Sequence, residues 1–310
     1  MRVLELYCGI GGAAVALGRQ GQIVAAVDLS RPALAVYQHN FPRHRTLARN
    51  LETLGSRDLR RWRADLWWLS PPCQPFTRRG RGRDVDDPRC QSLLHLIGLI
   101  ERELPPAIGL ENVTPFAESR ACQRLLAALE RAGYEVFQTT LCPSRLGVPN
   151  RRPRFYLVAA RGQDLNPPRL IPTPSVLADH LQSNGDSAEL AVAESLLRDY
   201  SGALDIVDQE DPSAITACFT AAYGRSPVRS GSYLRRRERV RRFSPREILS
   251  LLGFPPDYVL PEELAIRKAW KLVGNSLSIA PVRAILGGLE GLDLDAPSRP
   301  HRLADHRHGD

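Results

Sequence analysis

The sequence predicts an α/β protein built on a mostly parallel sheet, and two observations lead there. Over the first 160 residues, short apolar segments alternate with stretches of helical period, the pattern of strand–helix–strand units. Between the first apolar segment and the first helical one stands a glycine-rich turn, Tyr7-Cys8-Gly9-Ile10-Gly11-Gly12, the kind of connection such sheets place at their carboxyl edge.

The elements follow in order. Strands are expected over Val3 to Tyr7, Ile23 to Val27, Leu66 to Leu69, Ala107 to Leu110, Glu135 to Leu141 and Phe155 to Ala159, each a short apolar or β-branched run. Helices are expected over Ala13 to Arg19, Pro32 to Asn40, Ser92 to Glu103 and Ala121 to Ala132, the last closing on Gly133 as a helix end should. Four prolines between Asn166 and Pro174 break both patterns and read as a domain boundary or linker. Residues 164–243 show no clear period and end in a cluster of arginines. A helical signal returns at Ser244-Pro245-Arg246-Glu247, with Ser244 as N-cap and Pro245 at the first helical position. Gly274-Asn275-Ser276 then opens a final helical stretch, Leu277 to Leu289, and the tail from Asp293 reads as disordered.

A chain of 310 residues can bury one large core and carry a smaller module. The strand beginning at Val3 leaves no room for a signal peptide, and no apolar run reaches the ~20 residues that span a membrane. The six cysteines contain no C-x-x-C pair, so neither a zinc site nor a disulfide framework is expected, and reduced, cytoplasmic thiols fit best. Of 42 Lys and Arg residues, lysine supplies only positions 268 and 271, and the net charge is +8. Nine arginines and a single acid, Glu238, fall between Arg225 and Arg246. Such a run is expected to form a solvated face, and against a polyanion it would supply phosphate contacts that weaken with salt. Nucleic acid is the partner that charge favours.

The glycine-rich turn lies where nucleotide-containing cofactors bind, and Asp28 ends the second strand, placed to accept hydrogen bonds from ribose hydroxyls. Ala14 occupies the last glycine position of G-x-G-x-x-G, which weakens a pyrophosphate cradle; S-adenosylmethionine, with no phosphate, would not miss it.

The candidate reacting groups stand at strand ends. Ser70-Pro71-Pro72-Cys73-Gln74-Pro75-Phe76 follows the apolar Leu66 to Leu69, and its prolines hold a thiol in few conformations. An aimed thiol is what a nucleophile needs. Glu111-Asn112-Val113 follows another apolar run, so Glu111 and Cys73 are expected to meet across a pocket. Asn150-Arg151-Arg152-Pro153-Arg154 precedes the strand Phe155 to Ala159, and alternation points Arg152 and Arg154 the same way.

Together these segments resemble the cytosine-5 methyltransferase family. Leu6 to Gly12, Pro71-Pro72-Cys73-Gln74, Glu111-Asn112-Val113, Asn150-x-Arg152-x-Arg154, Arg242 to Glu247 and Gly274-Asn275-Ser276 stand in the family's order. Cys218-Phe219-Thr220, Tyr223-Gly224, Gly231-Ser232 and Ser144-x-Leu146-Gly147-Val148-Pro149-Asn150 are similar to the branch acting on tRNA, the tRNA-aspartate cytosine-5 methyltransferases.

The resemblance implies a Rossmann-like, S-adenosylmethionine-dependent methyltransferase fold with a smaller target-recognition domain. Residues 1–163 and 244–292 would form the catalytic domain, residues 164–243 the target-recognition domain, and 293–310 a disordered tail. It implies transfer of a methyl group to cytosine C5 in tRNA, in the anticodon loop, with S-adenosylhomocysteine as product. The alternative is a DNA cytosine-5 methyltransferase of a restriction-modification system. Cys73 would attack C6, Glu111 would donate to N3, and Arg154 with Arg152 would contact the pyrimidine O2 and pocket. Nearby arginines are expected to raise the fraction of Cys73 thiolate. The base that removes the C5 proton has no candidate in the sequence beyond water.

For the cofactor, the implied positions are Tyr7, Gly9, Ile10, Gly11, Gly12, Asp28, Leu29, Leu51, Glu52, Ser70, Asn275 and Ser276. Asn50 stands where the family often carries an acid that reads the adenine. Substrate contacts would come from Gln74, Asn112, Cys218, Phe219, Thr220, and Arg78 and Arg81 in a cationic loop, 78–83, that closes over substrate. A cytoplasmic monomer without metal completes the expectation.

Overall fold

All six strands read from the sequence form, and a seventh joins them. The computed structural model describes residues 1–310 apart from 78–81, 163, 167, 169, 184–186, 290 and 292–310. The tail beyond Asp293 and the centre of the cationic loop, with Arg78 and Arg81, therefore lie outside the described residues. The first part of the chain runs β1 (Arg2–Leu6), α1 (Gly12–Leu17), β2 (Gln22–Asp28), α2 (Arg31–Asn40), β3 (Thr46–Ala48), α3 (Ser56–Trp62) and β4 (Leu66–Leu69). It continues through α4 (Gln91–Glu103), β5 (Ala107–Val113), α5 (Arg120–Arg131), β6 (Glu135–Leu141) and β7 (Arg154–Ala160). The third strand and α3 carry little apolar period: of seven residues in α3 only Leu59 and Trp62 are buried.

The sheet order is β3-β2-β1-β4-β5-β7-β6. Only β7 is reversed, lying antiparallel between β5 and β6. From β1 the chain winds outward through β2 and β3, then crosses back so that β4 takes the other side of β1. That reversal is a switch point, where the turns leaving adjacent parallel strands diverge and open a crevice. Leu6 pairs with Leu69, so the glycine-rich turn and the Cys73 turn leave the sheet side by side. All four residues of β4 are buried, as a strand covered on both faces requires.

Past Ala160, α6 (Glu194–Asp199) is followed by a second sheet of β8 (Ile206–Asp208), β9 (Tyr233–Arg236) and β10 (Arg239–Arg242). Strands of three or four residues, half of them arginine in β9, leave no alternating signal to read. The arginine run is not one solvated face. Arg225, Arg229, Arg235, Arg237 and Arg239 are exposed. Arg241 is buried in a two-bond pair with Glu247, Arg242 lies over the Tyr233 and Trp270 rings, and Arg246 donates to the carbonyls of Pro255 and Tyr258. Arg241 can be buried, and Arg242 and Arg246 half-buried, because each cation has found an acceptor or a ring.

The proline-rich segment is pinned. Thr173 and Ser175 donate to the carbonyls of Leu146 and Gly147, and Asn166 donates to Gly288. A Cβ on Gly147 would stand 2.7 Å from Pro174, so glycine there admits the strap.

Three helices close the chain: α7 (Pro245–Leu252), α8 (Ile266–Gly274) and α9 (Ile279–Leu286). Ser244 and Glu247 form a capping box with Pro245 in the first turn of α7. Gly274 ends α8 rather than opening the last helix, which Ser278 begins. The reason is packing: a Cβ at Gly274 would overlap the Thr220 carbonyl. Helix α9 lies against α1 and β7. One apolar cluster covers a face of the large sheet and continues without break through Leu234, Phe219, Tyr223, Phe243 and the closing helices; the other face has its own.

Candidate active site

The turn after β4 carries Cys73 to the sheet edge, half-buried, between Pro72 and a short helical turn that begins at Gln74. Asn112, on the neighbouring strand, donates from Nδ2 to the Pro71 carbonyl at 3.1 Å and accepts from the Val113 N–H at 2.8 Å. Its side chain is thus buried, bracing the turn that carries Cys73. Gln74 is half-buried beside it.

Glu111 is 9% exposed and its Oε1 lies 3.3 Å from Arg154 Nε. The two meet because β7 runs antiparallel to β5, pairing Arg154 with Val113 at the carboxyl edge. Burial pushes the Glu111 carboxyl above its ordinary value, against the opposing pull of Arg154 and Arg152. Burial also raises the Cys73 thiol; Arg154 and Arg152 pull it down, Glu111 adds to the rise, and the net direction is upward. The expected gain in resting thiolate from nearby arginines is therefore outweighed, because desolvation of sulfur costs more than those charges return.

Arg152 does not point into open space. Its guanidinium donates to the carbonyls of Phe219 at 2.7 Å, Ser276 at 2.6 Å and Gly274 at 3.3 Å. It shares Cys218 with Arg154: Nη1 of Arg152 is 3.3 Å and Nη2 of Arg154 3.5 Å from the sulfur. The two side chains do point the same way, as alternation requires. Asn150 fixes the segment from the other end, donating to Thr216 Oγ1 at 2.9 Å. Phe219 is 1% exposed, its ring against Tyr223 and Phe243, so its side chain belongs to the core and only its backbone reaches the site. Thr220 is half-buried, its backbone against Gly274.

On the other side of the crevice, Tyr7 takes φ +56° and donates to Ser92 Oγ at 2.9 Å. The glycines divide by purpose. A Cβ on Gly11 would stand 2.9 Å from the Tyr37 ring and one on Gly12 2.9 Å from Leu277, so both are small for internal packing. Gly9, at φ +53°, faces open space. Ile10 is buried and its carbonyl accepts from Tyr258. Asp28 accepts from the Gly9 N–H at 2.8 Å and the Ser30 N–H at 2.7 Å, one per oxygen, which leaves lone pairs free. Leu29, beside it, is 71% exposed. Asn50 accepts from the Glu52 N–H; Leu51 is buried and Glu52 exposed. Ser70 accepts from Trp68 Nε1 at 3.0 Å. Asn275 is exposed, and Ser276 Oγ is buried without a partner.

An open glycine cradle, a carboxylate with spare acceptor capacity, a bare aliphatic side chain and an orphan hydroxyl suit a ligand with a ribose, a flat ring and a polar amino-acid end. Missing from the sequence reading were Tyr258 and Leu277, which shape the glycine turn from more than two hundred residues away and leave no local trace. Among the described residues no group of His, Cys, Asp and Glu is arranged to hold a metal, and no helix is long and apolar enough to cross a membrane.

Comparison with known proteins agrees with this arrangement. Residues 1–290 match the family model described as C-5 cytosine-specific DNA methylase. The tRNA (cytosine(38)-C(5))-methyltransferase of Spodoptera frugiperda is 31% identical, over 92% of this chain and 98% of its own. The protein of that name from Homo sapiens is 30% identical over 92% and 98%. The solved structure of the Entamoeba histolytica methyltransferase EhMeth superimposes with a TM-score of 0.85 at 25% identity, covering 93% of this chain and 97% of that one.

Proposed function

Because this chain belongs to the C-5 cytosine-specific DNA methylase family, we propose that it methylates cytosine C5 in tRNA, in the anticodon loop, through a covalent bond from Cys73 to C6. The observation that carries the reading is the pairing of Glu111 with Arg154 at the sheet edge that also presents Cys73. The tRNA substrate is favoured by relatives of that activity that span nearly the whole chain.

Bound S-adenosylmethionine supplies the methyl group as an electrophilic sulfonium and leaves as S-adenosylhomocysteine. Gly9, Asp28, Leu29 and Ser276 would hold it, with Tyr7, Ser70 and Asn275 at the rim of the same crevice. Cytosine C5 is a poor nucleophile until electrons are pushed onto it. Cys73 thiolate adds to C6 and does so, while Glu111, whose burial favours its protonated form, donates to N3 so that negative charge does not collect on the ring. Arg154 lies beside Glu111, placed for the pyrimidine O2. Arg152, with both Nη nitrogens on backbone carbonyls, holds the wall in place in this reading. Once C5 carries the methyl group, water takes the C5 proton, the C–H electron pair re-forms the C5–C6 double bond, and the C6–S bond breaks to release Cys73 as thiolate.

The base must leave its stack to reach the crevice, at a cost of a few kcal/mol in a duplex and less in a loop. Residues 164–243 form the target-recognition part in this reading, and 1–163 with 244–292 the catalytic part. Tritiated methyl transfer from S-adenosylmethionine to total tRNA and to genomic DNA tests it: counts in tRNA are expected, and counts in DNA alone would reverse the choice of substrate.

A further inference from the structure

Cys218 is a half-buried thiol that two guanidiniums share from 66 and 64 residues away in sequence. A neutral thiol is a weak acceptor, poorly matched to two cations at 3.3 and 3.5 Å. A thiolate is a charge partner. Arg152 divides its Nη1 between Cys218 and the Phe219 carbonyl and gives its Nη2 to the carbonyls of Gly274 and Ser276, whereas Arg154 uses its Nε to hold Glu111. Glu111, Arg154, Cys218 and Arg152 therefore form one row along the wall of the crevice, alternating acid and cation.

We propose that Cys218 is a positioning residue whose thiolate divides the charge of Arg154 between itself and Glu111, and so keeps Glu111 a proton donor. The inference rests on the methyltransferase reading and gives Cys218, which the resemblance placed among the substrate contacts, a role exerted through Arg154. Burial works to raise the Cys218 thiol, but Arg152 and Arg154 outweigh it by charge and hydrogen bonding, and the net direction is downward. Cys73, reached by the same two arginines, moves the other way. The groups that face this row are Arg152, Arg154 and Tyr156 from β7 and its approach, Glu111 from β5, Cys73 from the β4 turn and Cys142 from the end of β6.

Without the thiolate, the full charge of Arg154 falls on Glu111 and on Cys73. Glu111 then loses its proton at lower pH, and Cys73 ionises at lower pH. Both limbs of a bell-shaped rate profile move down together.

The test compares wild-type protein with Cys218→Ser and Cys218→Asp. Cys218→Ser is expected to carry both limbs of the methyl-transfer profile down by about one pH unit, the effect of one uncompensated charge. Its affinity for S-adenosylhomocysteine stays unchanged, and Cys218→Asp returns the limbs toward wild type. A loss of amplitude with unmoved limbs, equal in both variants, would overturn the proposal. A second arm needs no turnover: in Cys73→Ala protein, iodoacetamide labelling of Cys218 followed by mass spectrometry should reach half its limiting rate below the ordinary thiol value of about 8.5. Labelling at or above that value refutes the thiolate. Absence of methyl transfer by wild-type protein would sink the parent reading instead, and the labelling arm is still decided.

Discussion

At the scale of single residues, the proposed chemistry rests on short motifs that put titratable groups at strand ends. The places of Cys73 and Glu111 at the sheet edge were legible for that reason: each lies within a few residues of an apolar run. Cys73→Ala is expected to abolish methyl transfer with cofactor affinity nearly unchanged, checked by transfer counts and calorimetric titration; retained turnover would remove the nucleophile. That Arg152 points the same way as Arg154 was legible, but its anchoring was not, since its acceptors on Gly274 and Ser276 lie 122 and 124 residues away. Arg152→Ala strands three buried carbonyls and is expected to cost several kcal/mol, at ~1–3 for each unsatisfied group. A melting curve within a degree or two of wild type would contradict that. Burial likewise governs Glu5, where it outweighs the hydrogen bonds from Tyr37 and Ala13 and pushes the carboxyl up to about 8. Between its ordinary value near 4.5 and about 8, the folded chain holds a proton that the unfolded chain releases. Stability must therefore fall as pH rises through that window. Glu5→Gln should flatten the fall, read from denaturant midpoints at pH 5 and pH 8; an unchanged slope would sink the assignment.

At the scale of elements, the large sheet was readable because buried parallel strands are written as continuous apolar runs, and helix α7 because Ser244, Pro245 and Glu247 form a local start signal. The small sheet was not, because β8 to β10 are short, and pairing between β8 and β9 spans a gap of 24 residues with no local signature. Ser244→Ala removes the α7 cap and is expected to cost about 1 kcal/mol, measured by thermal unfolding. Gly274→Ala should cost more, since the added methyl drives α8 off the Thr220 backbone. Equal effects of the two would argue against that contact.

At the scale of the whole molecule, charge and core act together. The exposed arginines at 235, 237 and 239 ring the tip of the β9–β10 hairpin, and the buried Arg241 and half-buried Arg242 anchor its base. Each phosphate that is no longer neutralised should lower the dependence of log K on log salt by ~0.7–0.9. Arg235→Ala, Arg237→Ala and Arg239→Ala combined are expected to weaken tRNA binding and reduce that slope while leaving the melting temperature in place. An unaltered slope would move the binding face elsewhere. The apolar cluster that joins the small sheet to the large one predicts a single cooperative melt for the described chain. Composition and the change of texture near Pro167 marked a boundary in the sequence, but the shared core could not be read there, because its contacts cross between distant segments.

The anchoring of Arg152 bears on how the protein is made. A ribosome releases the turn that holds Cys73 long before it reaches Ser276, and the wall beside that turn closes only when Gly274 and Ser276 have arrived to receive the guanidinium. Each newly synthesised molecule thus carries Cys73 without a finished wall beside it for most of translation, and completes that wall only near the last helix.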